Sequence, residues 1–205
     1  MKFGMPELIS CPKCEARQWR LTLLSGNTFG AVYYSDGSRH APKMPDIPFY
    51  IHCHDCCVFF KVTDETIKGT ASMDSVENIP RTLHLTAEEL ADALEQGIYN
   101  GGTEDIFPLR CMYWRTLNKL RLRMKKISAD EDAIYLQNCN ELLRLFENSG
   151  KDEDLLMKAE LCRNIADFKS CKDILEKIKN EKKYVKYIAS IKTACDEENI
   201  FTVKI

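Results

Sequence analysis

The sequence lacks the long apolar runs and the compact motifs by which membrane proteins and many enzymes are recognised. No apolar segment approaches the ~20 residues that span a bilayer, and the first residues contain no signal-peptide stretch. There is no His-Glu-x-x-His, no Gly-x-Ser-x-Gly, no dinucleotide-binding glycine fingerprint and no Gly-Lys-Ser/Thr. We therefore expect a cytoplasmic protein with no membrane partner. The enzyme question stays open, but a non-enzymatic role is favoured because no nucleophile and base stand out.

The composition has no strong excess of charge of either sign. The net charge is −2, with 44% hydrophobic and 29% charged residues among 205, which is typical of a globular protein of one large or two small domains. A near-neutral chain has no general attraction to nucleic acid. The exception is the segment 110–126, which carries seven basic residues and no acidic one.

Cysteine is the residue type that the chain has in unusual number. Of ten cysteines, Cys11 and Cys14 form one C-x-x-C pair and Cys53 and Cys56 form a second. Two such knuckles supply the four thiolates of a tetrahedral structural zinc site, whose closed shell leaves no position for a catalytic water. An ordinary thiol or redox pair is the competing interpretation. His54 with Cys57 has the same spacing and stays open as an alternative to Cys53 with Cys56.

The residues that follow the two knuckles, and the cysteines outside them, are also informative. Many zinc ribbons place glycine directly after the second cysteine of a knuckle, where left-handed backbone geometry costs little. Glu15 and Cys57 occupy those positions here. The remaining cysteines lie in segments of apolar periodicity, and we predict that they pack as small buried hydrophobes: Cys111, Cys139, Cys162, Cys171 and Cys195.

The periodicity predicts an α+β fold, with a zinc-ribbon-like small β-sheet over residues 1–80 and an α-helical domain over 81–205. Turn signals and short alternating segments fill the first part, whereas a capping box at Thr86 begins a helix that we expect to stop at Gly97. A later helical hairpin has apolar and small residues where a tetratricopeptide repeat has them: Leu155, Ala159, Cys162, Cys171, Leu175 and Ile178.

The helix that we expect after the Gly101-Gly102 loop has two distinct faces. Its predicted apolar stripe consists of Tyr113, Leu117, Leu120, Met124 and Ile127. In the next helix we expect four residues to point inward, which are Ile134, Leu142, Leu145 and Phe146. In the first of these two helices, the face opposite the stripe carries candidate phosphate-binding cations, which are Arg115, Lys119, Arg123 and Lys126. A solvated face that complements the acidic helices downstream explains the same cations.

A second candidate site is the turn-rich segment between the knuckles. Glycines around Asn27 and Thr28 could let a ligand approach the backbone, and Tyr34 and Asp36 follow closely. Ordinary structural turns explain the same residues.

In these motifs the chain resembles an uncharacterised bacterial zinc-ribbon family with an α-helical, tetratricopeptide-like C-terminal region. The resemblance rests on both knuckles, on the segments 25–31 and 34–37, on Trp114 with Asn118, and on the hairpin 159–178. It implies a structural Zn²⁺ and a helical domain, and it implies no activity.

Two functions follow as hypotheses. The favoured one is a non-enzymatic, zinc-stabilised adaptor whose helices present a surface for another protein. The alternative is a nucleic-acid-binding zinc-ribbon protein that uses the basic helix 110–126.

Overall fold

The computed structural model describes residues 1–124 and 129–205 and confirms the α+β fold, because small antiparallel sheets precede most of the helices. Two compact units divide the chain. The first, which we call the cysteine unit, comprises Met1–Ala31 and Ala41–Arg110. The second, the helical unit, comprises Val32–His40 and Cys111–Ile205. The domain boundary expected near residue 80 stays a prediction.

The strands in the described residues are short. In chain order they are β1 (Lys2–Phe3), β2 (Glu7–Ser10), β3 (Arg17–Arg20), β4 (Leu23–Ser25), β5 (Val32–Tyr33), β6 (Arg39–His40), β7 (Tyr50–His52), β8 (Phe59–Lys61) and β9 (Ile67–Thr70). They pair antiparallel as β1 with β4, β3 with β2 and β9, β5 with β6, and β7 with β8.

The core of the cysteine unit forms where the β2–β3 and β7–β8 hairpins meet. Ile9 and Ile51, each two residues before the first cysteine of a knuckle, are buried together with Phe60 and Val62. Full burial of one such side chain contributes about 1.5–3 kcal/mol. Other large side chains of the same unit, among them Trp19, Phe59 and Leu90, are buried as well.

The first helix, α1 (Ala87–Gln96), has the predicted ends. The Thr86 hydroxyl accepts a hydrogen bond from the Glu89 amide at 3.2 Å, and the Glu89 carboxylate accepts one from the Thr86 amide at 2.8 Å. Gly97 follows the helix with a φ of 81°, which glycine adopts without strain. The capping box and the stop are both confirmed.

The helical unit contains α2 (Ile106–Met124, of which the first five residues belong to the cysteine unit), α3 (Ala129–Leu145), α4 (Asp152–Asn164), α5 (Phe168–Leu175) and α6 (Glu181–Asp196). Its core lies between α4, α5 and α6, where Ala159, Cys171 and Ile191 are fully buried. The five cysteines that were predicted to lie in the core are all buried. The helical hairpin is present as α4 and α5, whereas its tetratricopeptide-like character stays a prediction.

Part of the predicted apolar stripe is not covered. Ile134 and Leu145, which were expected to point inward, are 48% and 50% exposed, and Met124 is 59% exposed. Ile127 lies outside the described residues. Near the C-terminal end of the chain, Lys204 forms an isolated antiparallel bridge with Tyr34. No described helix combines the length and the apolar character required to cross a membrane.

Candidate metal centre

The two knuckles have the same backbone hydrogen bonds. In the first, the Cys11 amide donates to the Ala16 carbonyl at 2.9 Å and the Glu15 amide donates to the Cys11 carbonyl at 3.0 Å. In the second, the Cys53 amide donates to the Val58 carbonyl at 2.9 Å and the Cys57 amide to the Cys53 carbonyl at 3.1 Å. Each knuckle is therefore the tight turn of a β-hairpin, β2–β3 in one case and β7–β8 in the other.

The turns bring four sulfurs together. Cys11 Sγ lies 3.7 Å from Cys56 Sγ, and Cys14 Sγ lies 3.6 Å from Cys53 Sγ. All four sulfurs lie within 4.8 Å of one another. Four sulfurs placed about 2.3 Å from one ion at tetrahedral angles are about 3.8 Å apart, so the observed spacing is compatible with a shared metal ion.

The two knuckles expose their cysteines unequally. Cys11 and Cys53 are buried beside Ile9 and Ile51, whereas Cys14 is exposed and Cys56 is half-buried. Burial raises the pKa of Cys53 to about 12. At Cys56, burial also acts to raise the pKa, but hydrogen bonds from the Val58 amide and from the neighbouring thiols lower it to about 7. A half-buried thiol that ionises near neutral pH is suited to bind a cation.

The alternative ligand pair is placed differently. His54 and Cys57 are both exposed. The side chains that lie close enough together to share a metal ion are those of Cys11, Cys14, Cys53 and Cys56. Cys57 occupies the left-handed position after the knuckle, with a φ of 59°.

Of the candidate phosphate-binding residues, two are exposed on one helix face. Lys119 and Arg123 lie one turn apart on α2 and are exposed. Arg115, however, donates from Nε to the Asp36 carbonyl at 3.2 Å, so part of its hydrogen-bonding capacity is used within the helical unit. Lys126 lies outside the described residues.

The candidate ligand loop is divided between the two units. Asn27 and Thr28 belong to the cysteine unit, where the Asn27 side chain accepts from the Phe29 amide at 3.0 Å. Tyr34 and Asp36 belong to the helical unit. Asp36 is buried, and its carboxylate accepts hydrogen bonds from the Ser38 amide and from Asn118 Nδ2, both at 2.9 Å. These contacts are those of a structural turn.

A buried polar network joins α2, α3 and α4 within the helical unit. Tyr135 Oη donates to Asn118 Oδ1 at 2.6 Å, and Trp114 Nε1 donates to Asn164 Oδ1 at 3.1 Å. Trp114 and Tyr135 have almost no exposed surface. The sequence singled out Trp114 and Asn118, but Tyr135 and Asn164 were missed because they look like ordinary helix residues.

The same region contains a fully buried ion pair. Glu160 Oε1 accepts from Arg163 Nη2 at 2.5 Å and from Ser35 Oγ at 2.6 Å, while Arg163 Nε donates to Glu160 Oε2 at 3.0 Å. Arg163 Nη1 also donates to the Phe201 carbonyl at 3.0 Å, and Asn164 Nδ2 donates to the Ile200 carbonyl at 3.0 Å. The hydrogen bonds donated by Arg163 and Asn164 thereby hold the C-terminal segment against α4.

The cysteine unit has its own buried carboxylate, Asp105. It accepts hydrogen bonds from Tyr50 Oη at 2.7 Å and from the Gly102 amide at 2.9 Å, and Lys61 Nζ lies 3.1 Å away. Burial acts to raise the pKa of Asp105, but these donors outweigh it and the pKa is lowered. Because Tyr50, Gly102 and Lys61 of the same unit supply these hydrogen bonds to Asp105, we interpret the cluster as structural.

Comparison with models of protein families, with curated proteins and with solved structures finds no match to this chain. The geometry of the four-cysteine cluster and the helical C-terminal region is compatible with a zinc-ribbon-like description.

Proposed function

We propose that the four cysteines hold one structural Zn²⁺ and that the protein is a non-enzymatic adaptor. The sulfur spacing supports the first part, since sulfurs of both knuckles stand at the distances expected around a common tetrahedral ion. Zinc bound to such a set contributes on the order of 10–16 kcal/mol of apparent binding energy at neutral pH. That energy would add to the stability that the apolar core gives the cysteine unit.

One observation carries the adaptor proposal, namely the uncovered end of the apolar stripe on α2. Leu120 and Met124 lie one turn apart and are exposed, although their spacing is that of a buried helix face. Apolar side chains at positions i and i+4 are the usual anchors by which one amphipathic helix binds another.

The charges beside this stripe indicate the chemistry of the partner. Lys119 and Arg123 directly precede Leu120 and Met124 in the chain and are exposed, and the segment 110–124 contains no acidic residue. A partner helix with an apolar face and acidic flanks would bury the apolar side chains and neutralise the cations. Such charge complementarity contributes mainly to specificity and association rate.

The test uses the metal-loaded full chain to capture partners from native lysate, followed by titration of the identified partner in purified form. We expect the double variant Leu120→Ser/Met124→Ser to bind it at least about tenfold more weakly, because two apolar contacts are lost. Leu83→Ser, which changes an exposed apolar residue outside α2, is the control. Absence of a reproducible partner, or equal affinity of both variants, would contradict the proposal.

Nucleic-acid binding is the second candidate, and the exposed cations Lys119 and Arg123 favour it. Two phosphate contacts predict a dependence of log affinity on log salt with a slope of about −2. Salt titration of a labelled oligonucleotide distinguishes the candidates. The nucleic-acid candidate fails if Lys119→Glu/Arg123→Glu leaves the slope unchanged.

A further inference from the structure

The four-cysteine cluster combines thiols that solvent reaches with thiols that it does not reach. Cys14 is exposed and Cys56 is half-buried. Cys11 and Cys53 are buried. Cys14 Sγ lies 3.6 Å from Cys53 Sγ, and Cys56 Sγ lies 3.7 Å from Cys11 Sγ. Each accessible sulfur is therefore in van der Waals contact with a buried sulfur of the other knuckle.

These two sulfur contacts connect distant parts of the chain. Cys14 and Cys53 are 39 residues apart, and Cys11 and Cys56 are 45 residues apart. A disulfide at either contact would link the β2–β3 hairpin to the β7–β8 hairpin, as a shared metal ion does. It would also restrict the unfolded chain more than a disulfide within one C-x-x-C pair, because the closed loop is longer.

The sulfurs of each contact are close enough for a bond to form after a small movement. A disulfide bond is about 2.05 Å long, so the two sulfurs have to approach each other by only about 1.6 Å. Rotation of the Cys14 or Cys56 side chain supplies such a shift, because neither side chain is fully buried. The buried partners are held in the apolar core of the cysteine unit.

We propose that the cluster is a site of oxidation by hydrogen peroxide, at which two disulfides between the knuckles replace the metal ion. The disulfides join Cys14 with Cys53 and Cys11 with Cys56. This inference rests on the proposed structural zinc, because metal-bound cysteines are thiolates and thiolates are the form that peroxide oxidises. Sulfurs that have entered disulfides no longer hold the ion, so zinc is released while the two hairpins stay linked.

Each disulfide forms in two steps and consumes one peroxide. The Cys14 thiolate attacks a peroxide oxygen, the O–O bond breaks, and a sulfenic acid forms while the departing hydroxide takes up a proton. The Cys53 thiolate then attacks the Cys14 sulfur, the S–S bond forms, and the S–O bond breaks with loss of a second hydroxide, which is protonated to water. Two thiolates lose two electrons in total, and one peroxide is reduced to two waters. Cys56 and Cys11 react in the same way.

The other thiols of the chain supply the controls. Cys57 is exposed but lies outside the four-sulfur cluster, so Cys57→Ser should release zinc as the parent does. The five cysteines of the helical unit are buried, so they should remain reduced while zinc is released.

The test adds hydrogen peroxide stepwise to the zinc-loaded full chain and to Cys57→Ser, and follows released zinc with a colorimetric indicator. In Cys57→Ser we expect about one zinc released for every two peroxides consumed. Free thiols are then alkylated, and disulfides are mapped by mass spectrometry of unreduced peptides. We expect to find the links of Cys14 with Cys53 and of Cys11 with Cys56. In urea, the oxidised protein should unfold at a higher concentration than the reduced, metal-free protein.

The zinc content before oxidation tests the proposed zinc site separately. If the untreated protein holds no zinc, that proposal fails and the oxidation proposal fails with it. If zinc is present, three results overturn the oxidation proposal alone. They are zinc that stays bound in excess peroxide, disulfides within the C-x-x-C pairs in place of those between them, and zinc release that Cys57→Ser abolishes.

Discussion

Glu15 and Cys57 occupy equivalent positions in the two knuckles, and both have left-handed backbone conformations, with φ values of 63° and 59°. Each follows the second cysteine of its pair and donates its amide to the carbonyl of the first. Residues other than glycine have unfavourable steric contacts in the left-handed backbone region. The equivalence shows that the second knuckle runs from Cys53 to Cys56, in the same register as the first.

This conformation predicts the effect of glycine at the first knuckle. Glu15→Gly should raise the free energy of unfolding by up to about 1 kcal/mol, because the steric cost of the left-handed backbone is removed. Lys13→Gly, in the same turn but without a positive φ, should lower it by about 0.5–1 kcal/mol. Denaturant unfolding of the metal-loaded protein measures both. If the two variants were equally destabilised, Glu15 would not be strained.

The register of the second knuckle gives a prediction on metal content. Cys56→Ser should abolish stoichiometric metal binding, because a thiolate of the tetrahedral set is lost. Cys57→Ser and His54→Ala should retain the metal, since neither belongs to the four-sulfur cluster. Elemental analysis of the three variants measures this. Metal loss in Cys57→Ser with retention in Cys56→Ser would instead support the pair His54 and Cys57.

The sequence was most informative where local chemistry determines structure. The C-x-x-C spacing predicted which cysteines would meet, because a tight turn constrains both sulfurs of a pair. The capping box at Thr86 likewise depends on residues only three apart. The hydrogen bond between Ser35 and Glu160 was harder to predict, since the two residues are distant in sequence and meet only after the helices pack.

The ion pair between Glu160 and Arg163 predicts a strong asymmetry between single and double variants. Glu160→Gln should destabilise the helical unit by about 3–5 kcal/mol, because it leaves the buried Arg163 guanidinium without its counter-charge. Glu160→Met/Arg163→Met should be less destabilised than Glu160→Gln, since no unpaired charge remains. Urea unfolding followed by far-ultraviolet circular dichroism measures both.

An exposed pair supplies the control for this experiment. Lys172 and Asp196 form an ion pair at 2.6 Å with both side chains partly in solvent. Lys172→Met should therefore change stability much less than Glu160→Gln. A double variant that is as unstable as the single one would show that the shape of the pair, and not its charge, is what the helices require.

Asp105 predicts a dependence of stability on pH. Its pKa is lower in the folded protein than in the unfolded chain, so the unfolded chain binds more protons in acid. The contribution of Asp105 is fully present above the unfolded pKa of about 4 and is lost as the pH falls through the lower folded pKa. Asp105→Asn should cost about 2 kcal/mol at neutral pH and progressively less in acid.

The measurement is denaturant unfolding of the cysteine unit between neutral pH and the onset of acid unfolding. Asp92→Asn is the control, because Asp92 is an exposed carboxylate on α1. A constant difference between Asp105→Asn and the parent at every pH would show that the carboxylate is not held ionised by Tyr50, Gly102 and Lys61.

The apolar pattern was less reliable than the cysteine spacing, for a physical reason. Periodicity shows that one helix face is apolar, but it does not show whether another element covers that face. Tyr113 at the start of the α2 stripe is buried, whereas Met124 at its end is exposed.

The central claim is that Cys11, Cys14, Cys53 and Cys56 hold one zinc ion. The most direct test is zinc content per chain by elemental analysis of freshly purified, tag-free protein, together with the variant Cys14→Ser. We predict about one zinc per chain in the parent and loss of stoichiometric zinc in the variant. A parent without metal, whose four thiols cycle reversibly to disulfides, would contradict the claim and make the cluster a redox pair.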